Sequence, residues 1–175
     1  MKKLFLSITV LFLALMVHAQ TNPIDQMFDK YSEKKGFTVV SISGKMFSMF
    51  ADQDAENNEA DNVINRLKSI RILSVEDSIL NMSLNFYTEL SKKLDLSVYE
   101  ELMVVKTGPD VTKFLIRQTG NLISELLVII GGPGGNSLIS IKGDINLKNI
   151  SELSKDIGIQ ELKSLDNLEK KSPKK

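Results

Sequence analysis

The sequence predicts an α+β fold: a two-layer sandwich in which helices pack mainly on one face of a mostly antiparallel sheet, with a C-terminal four-strand meander as platform. Three observations predict it. Runs rich in β-branched and aromatic residues follow one another at 99–106, 111–118, 122–130 and 137–145. Thr107-Gly108-Pro109-Asp110, Thr119-Gly120-Asn121 and Gly131-Gly132-Pro133-Gly134-Gly135 separate them, putting glycine and proline where the chain must reverse. Apolar residues at helical spacing cluster before and after these runs, so helices and strands partly segregate along the chain.

The first residues stand outside that fold. Met1-Lys2-Lys3 is a short basic region, residues 4–17 are an almost unbroken apolar run, and Val17-His18-Ala19 offers small residues at both recognition positions of a signal peptidase. Residues 1–19 therefore read as a secretory signal peptide, cleaved between Ala19 and Gln20. Residues 20–158 form a single α+β domain, and 159–175 a polar, flexible C-terminal tail ending in lysines.

Within the domain, Asn22-Pro23 is a capping residue followed by proline at the first helical position, and Ile24, Met27, Phe28 and Tyr31 make one apolar stripe of a helix reaching Lys34. Gly36 ends it, and residues 37–43 (Phe-Thr-Val-Val-Ser-Ile-Ser) read as a strand. Residues 45–51 start a short helix after Gly44, while 52–62, acidic and amide-rich, read as an exposed loop leading to a short helix at 63–67. Residues 69–75 are a second strand. Asp77 or Ser78 caps a helix running to about Leu94, with Leu80, Leu84, Tyr87, Leu90 and Leu94 on one side. After the meander, Leu147, Ile150, Leu153 and Ile157 define a last amphipathic helix stopped by Gly158.

Composition closes many chemistries. Once the signal is removed, its His18 goes with it, and the chain holds no histidine, cysteine or tryptophan. Histidine-activated nucleophiles, thiolate or imidazole zinc sites, redox dithiols and disulfides are then excluded. No cofactor, metal or catalytic residue is expected, and without cysteine there is no lipid-modified anchor after signal cleavage. Arg66, Arg71 and Arg117 are the only arginines and no basic stripe interleaved with aromatics exists, so nucleic acid is not an expected partner.

Three motifs suggest chemistry and are better read as structure. Ser32-Glu33-Lys34-Lys35 with Lys106-Thr107-Gly108 matches the spacing of penicillin-recognising enzymes, but Ser32 lies too near the start for the strands that should precede a nucleophile helix. Gly131-Gly132-Pro133-Gly134-Gly135-Asn136 lacks the lysine and following helix of a phosphate loop. Asp52, Asp54, Glu56, Glu59 and Asp61 suggest calcium, yet Asn57 and Val63 stand where an EF-hand needs glycine and glutamate.

Phe28-Asp29-Lys30-Tyr31, then Phe37-Thr38-Val39-Val40-Ser41-Ile42-Ser43-Gly44-Lys45-Met46-Phe47, Ile70-Arg71-Ile72-Leu73 and Leu138-Ile139-Ser140-Ile141-Lys142-Gly143-Asp144-Ile145 together resemble the bacterial family called domain of unknown function 4252. That resemblance implies an exported envelope protein of the kind found in Bacteroidota, without assigned catalytic residues and with a link to envelope-stress signalling. Some members look like lipoproteins; the absence of cysteine departs from that pattern.

The expected function is a non-enzymatic periplasmic or secreted protein-interaction module whose partner is an unidentified envelope protein. Its candidate interaction surface is Leu126, Leu127, Val128, Ile129 and Ile130, because this strand is apolar on both faces. It is either central and covered twice or has one face awaiting a partner. The alternative is a carrier holding a small apolar ligand between helices and sheet among Met46, Phe47, Met49, Phe50 and Phe86.

Overall fold

Residues 22–50, 66–120 and 122–145 are described by a computed structural model. The expected signal peptide, acidic loop, last helix and C-terminal tail lie outside them. Helix α1 (Pro23–Tyr31) leads to strand β1 (Phe37–Ser43) and helix α2 (Gly44–Phe50); β2 (Leu67–Val75) is followed by α3 (Ser78–Ser83), α4 (Phe86–Ser91) and a 3-10 turn at Leu96–Val98. Strands β3 (Glu100–Thr107), β4 (Asp110–Thr119), β5 (Leu122–Gly131) and β6 (Ser137–Ile145) complete the order. All six strands join one open sheet in the order β1-β2-β6-β5-β4-β3, each pair antiparallel.

Local chemistry explains the element ends. Asn22 accepts a hydrogen bond from the Ile24 amide at 2.9 Å and Pro23 starts α1. That helix stops at Tyr31, one turn before the expected Lys34, and Ser32 closes it by donating its hydroxyl to the Asp29 carbonyl. The helix expected from 78 to 94 is two helices. Asp77 caps α3 through the Ile79 and Leu80 amides, then Leu84 turns extended and Asn85 caps α4 by accepting from the Thr88 amide at 2.8 Å. Asparagine competes with the backbone inside a helix and favours a new start, so the apolar periodicity continues across a break. Leu67, expected in a helix, opens β2.

Both faces of the sheet carry buried apolar residues. On one, Ile24, Met27, Phe28 and Tyr31 of α1 and Phe86 and Leu90 of α4 pack on Leu73, Val75, Leu115, Leu127, Ile129 and Leu138. On the other, Phe47 of α2 lies with Ile70, Phe114, Ile116, Leu126, Val128, Ile139 and Ile141. Close approach at the helical layer requires glycine: a Cβ on Gly131, at the end of β5, would sit 2.5 Å from the Tyr87 amide nitrogen at the start of α4.

Candidate functional site

The apolar strand singled out from the sequence is central, not open. Leu126, Leu127, Val128 and Ile129 are at most 1% exposed, and Ile130 is half-buried. Leu127 and Ile129 belong to the helix-side cluster, Leu126 and Val128 to the opposite one. Strand order supplies the reason: β5 is flanked by β4 and β6, and its two faces lie in two cores. The expected exposed apolar patch is therefore not at these five residues, and any docking surface has to be sought where the sheet is open.

The carrier residues are not brought together. Phe47 and Phe86 are buried on opposite faces of the sheet, Met46 and Met49 are exposed, and the side chain of Phe50 is outside the described set. A groove of about 360 Å³ beside α4, with Leu84 as its only apolar lining residue among Ser83, Asn85, Thr88, Glu89, Lys92 and Lys93, is open to solvent where an apolar ligand needs enclosing apolar walls. Ser32 and Lys106 are likewise apart: one follows α1 beside β1, the other is on β3 at the far edge of the sheet.

The Gly-rich loop is occupied by the chain itself. The Gly134 amide donates to the Asp110 carboxylate at 2.8 Å, placing a negative charge where a phosphate would have to sit. Asn136, buried at the end of this loop, accepts from the Phe86 amide at 2.8 Å and donates to the carbonyls of Gly132, Asn81 and Leu84. It ties α3 and α4 to the sheet, a role with no sequence signal beyond an asparagine before a strand.

Among the described residues, charge is buried at one node. Glu125, fully buried in β5, accepts from the Arg117 guanidinium at 2.7 Å, the Tyr99 hydroxyl at 3.0 Å and the Ser140 hydroxyl at 3.0 Å. Burial, with the Glu125 charge and hydrogen bond, pushes the Tyr99 phenol far above its ordinary range, so it stays a donor. Nearby, Arg71 pairs with Asp25 and stacks 4.3 Å from the centre of the Phe28 ring. Turn counting misses this node: stepping back from the turn at Gly120 places Arg117 opposite Ser124, and only the register shift between Arg117 and Gln118 sets it opposite Glu125. With each partner satisfied, the node fastens the 3-10 turn that leads into β3 to β4, β5 and β6 rather than presenting a reactive group.

The remaining candidates are the edges. β1 carries no charged residue, pairs with β2 without a bulge, and leaves Thr38, Val40, Ser41 and Ser43 exposed. Around it stand exposed apolar side chains: Met46 and Met49 on α2, which follows β1 directly, and Ile79 and Met82 on α3, which follows β2. Met49 and Ile79 are both 72% exposed. At the opposite edge, β3 carries Glu100, Glu101 and Lys106 and is bulged between Glu101 and Met103.

An open six-stranded antiparallel sheet with helices, sheet-rich α+β in class, is thus what the chain builds. The chain belongs to the family described as Domain of unknown function (DUF4252), whose model matches residues 31–153. No curated protein and no solved structure matches it. Among the described residues no helix is long and apolar enough to cross a membrane, and no group of three or more acidic, histidine or cysteine residues is placed to hold a metal ion.

Proposed function

We propose that this is a non-enzymatic, exported envelope protein that works as a protein-interaction module, docking its partner at the β1 edge of the sheet. The reading takes the four C-terminal strands as a meander platform and the helices as a layer mainly on one face, with the first 19 residues directing export. The observation that carries it is an edge strand without charge, proline or bulge. Such an edge is what β-strand addition uses, because its outward amides and carbonyls seek an extended backbone. Exposed Met46, Met49, Ile79 and Met82 support it, since methionine-rich rims adapt to a partner's shape. A composition without imidazole or thiol after export supports holding over converting.

A photoreactive side chain at Val40, compared with one at Val105 on β3, tests the reading in the intact envelope. Adducts from position 40 and none from position 105 are expected. Equal labelling from both edges, or none from position 40, would remove β1 as the docking element.

A further inference from the structure

Resting on that reading of β1, we infer that the strand it receives comes from a second copy of this chain, paired antiparallel about a two-fold axis at Val40.

The hydrogen-bonding phase of β1 follows from its neighbour. The Val75 amide is directed to the Asn136 carbonyl, away from β1, and the Glu76 amide to the Gly36 carbonyl, toward it. Backbone groups alternate along a strand, so Ser74, Ile72 and Ile70 bond Thr38, Val40 and Ile42, their register partners. The amides and carbonyls of Val39, Ser41 and Ser43 then point outward, as does the carbonyl of Phe37, whose amide is already held by the Lys34 carbonyl at 3.3 Å.

These outward positions are symmetric about Val40. Placing a dyad there sets Val39 opposite Ser41 of the second copy and Phe37 opposite Ser43, each a pair whose outward groups face one another, and neither strand overhangs. Thr38 meets Ile42 and Val40 meets Val40 on the face opposite α1, joining β-branched residues across the seam.

Neutrality selects the occupant. Near a two-fold axis any charge meets its own image, so a charged residue in the strand would forbid self-pairing while remaining usable with a complementary foreign peptide. None is present between Phe37 and Ser43. Monomers that share a compartment with their own copies place lysine, proline or a bulge on such an edge, as β3 does with Lys106 and its bulge.

The chain has no cysteine, so a single reporter is unambiguous. In this register residue 40 faces itself at a non-hydrogen-bonded position, where Cα atoms stand about 4.5 Å apart, inside disulfide range. Val40→Cys is expected to give a covalent dimer on mild oxidation. Val105→Cys, equally exposed on β3 (44% against 40%), is expected to give none.

Sedimentation equilibrium of the purified protein should show a dimer. Ser41→Pro removes an outward amide and no bond to β2, so it should weaken the dimer about tenfold or more with an unchanged circular dichroism spectrum. Should Ser41→Pro not fold, Val40→Lys, which puts like charges at the dyad, should likewise yield monomer. A monomeric wild type, a dimer that survives both substitutions, or equal crosslinking from Val105→Cys overturns the inference. A monomer whose Val40 photo-adduct has a different protein attached would overturn the second copy while leaving β1 as the docking edge; absence of any adduct would overturn both.

Discussion

The two edges of the sheet follow opposite rules. At β3, Glu100 accepts from the Gln118 amide at 2.7 Å, Glu101 pairs with Lys113 at 2.6 Å, and a bulge interrupts the ladder. At β1 seven neutral residues run in unbroken register with β2. Val40 and Val105 are exposed to nearly the same degree, 40% and 44%, so side-chain exposure does not distinguish the edges. What differs is the cost of bringing another backbone alongside: charge and irregularity oppose it at β3, and nothing in the strand opposes it at β1.

The largest effect expected on that contrast comes from the buried node behind β3. Arg117→Ala leaves the Glu125 carboxylate buried without its cation, with Tyr99 and Ser140 as remaining donors. Losing one partner of a buried pair costs about 3–5 kcal/mol, and the half-exposed Arg117 side chain places this near the lower figure. Urea unfolding should show it, whereas Val40→Lys, compared at protein concentrations low enough that the wild type is also monomeric, should shift stability by less than about 0.5 kcal/mol as a surface substitution. A mild Arg117→Ala would mean that β3 is fastened by packing and not by charge.

Next in size is the removal of the defence itself. Glu100→Thr, Glu101→Val and Lys106→Thr together should strip β3 of its charges and leave only its bulge as a defence, so that each chain offers two neutral edges. A dimer formed at β1 then grows through β3 into an open assembly, visible by light scattering. Combined with Ser41→Pro, growth should stop. Growth that ignores Ser41→Pro would show that β1 takes no part.

Much of this was legible in the sequence, and the failures have physical causes. Strand ends at Thr107, Gly131 and Ser137 fall within a residue or two of those expected, because Gly108, Pro109 and the Gly-rich loop fix the reversals locally. Gly108, at φ +59 before Pro109, suits the first central position of a two-residue hairpin turn. The break between α3 and α4 was written in Asn85 but hidden by the continuing apolar stripe. The placing of Leu126 to Ile130 was beyond local reading. β6 pairs with β2, 63 or more positions away in sequence, and only that pairing makes β5 central and leaves β1 at the rim. An edge is a property of strand order, so the same seven residues look alike whether covered or free.

A smaller effect separates association from stability by salt. Because β1 contains no charge, the dimer constant should change less than about twofold between low and high salt, where pairs of exposed charges are strongly screened. A steep salt dependence would move the interface to the lysines flanking the strand, Lys34, Lys35 and Lys45.

The smallest effect is the response to pH. Burial works against the charge on Glu89, but its hydrogen bonds from Lys30 and Tyr31 and the Lys30 charge win, holding the carboxyl below its ordinary 4.5. A depressed acid contributes stability above its unfolded value, lost as pH falls through the folded one, so the loss begins below about 4.5. Lys113 is the mirror case: the Glu101 hydrogen bond raises it above 10.5, so its contribution holds below that value and fades as pH climbs past it. Both pairs are partly solvent-exposed, which limits each to under about 1 kcal/mol. Melting temperature should therefore dip slightly at each extreme, with Glu89→Gln flattening the acid limb and Glu101→Gln the alkaline one. Between them β1 offers no group that titrates, so dimer dissociation should stay level from about pH 5 to pH 9, a range lying between the ordinary carboxylate and lysine values. A dissociation constant that tracked either limb would place a charged pair inside the interface and end the distinction between the two edges.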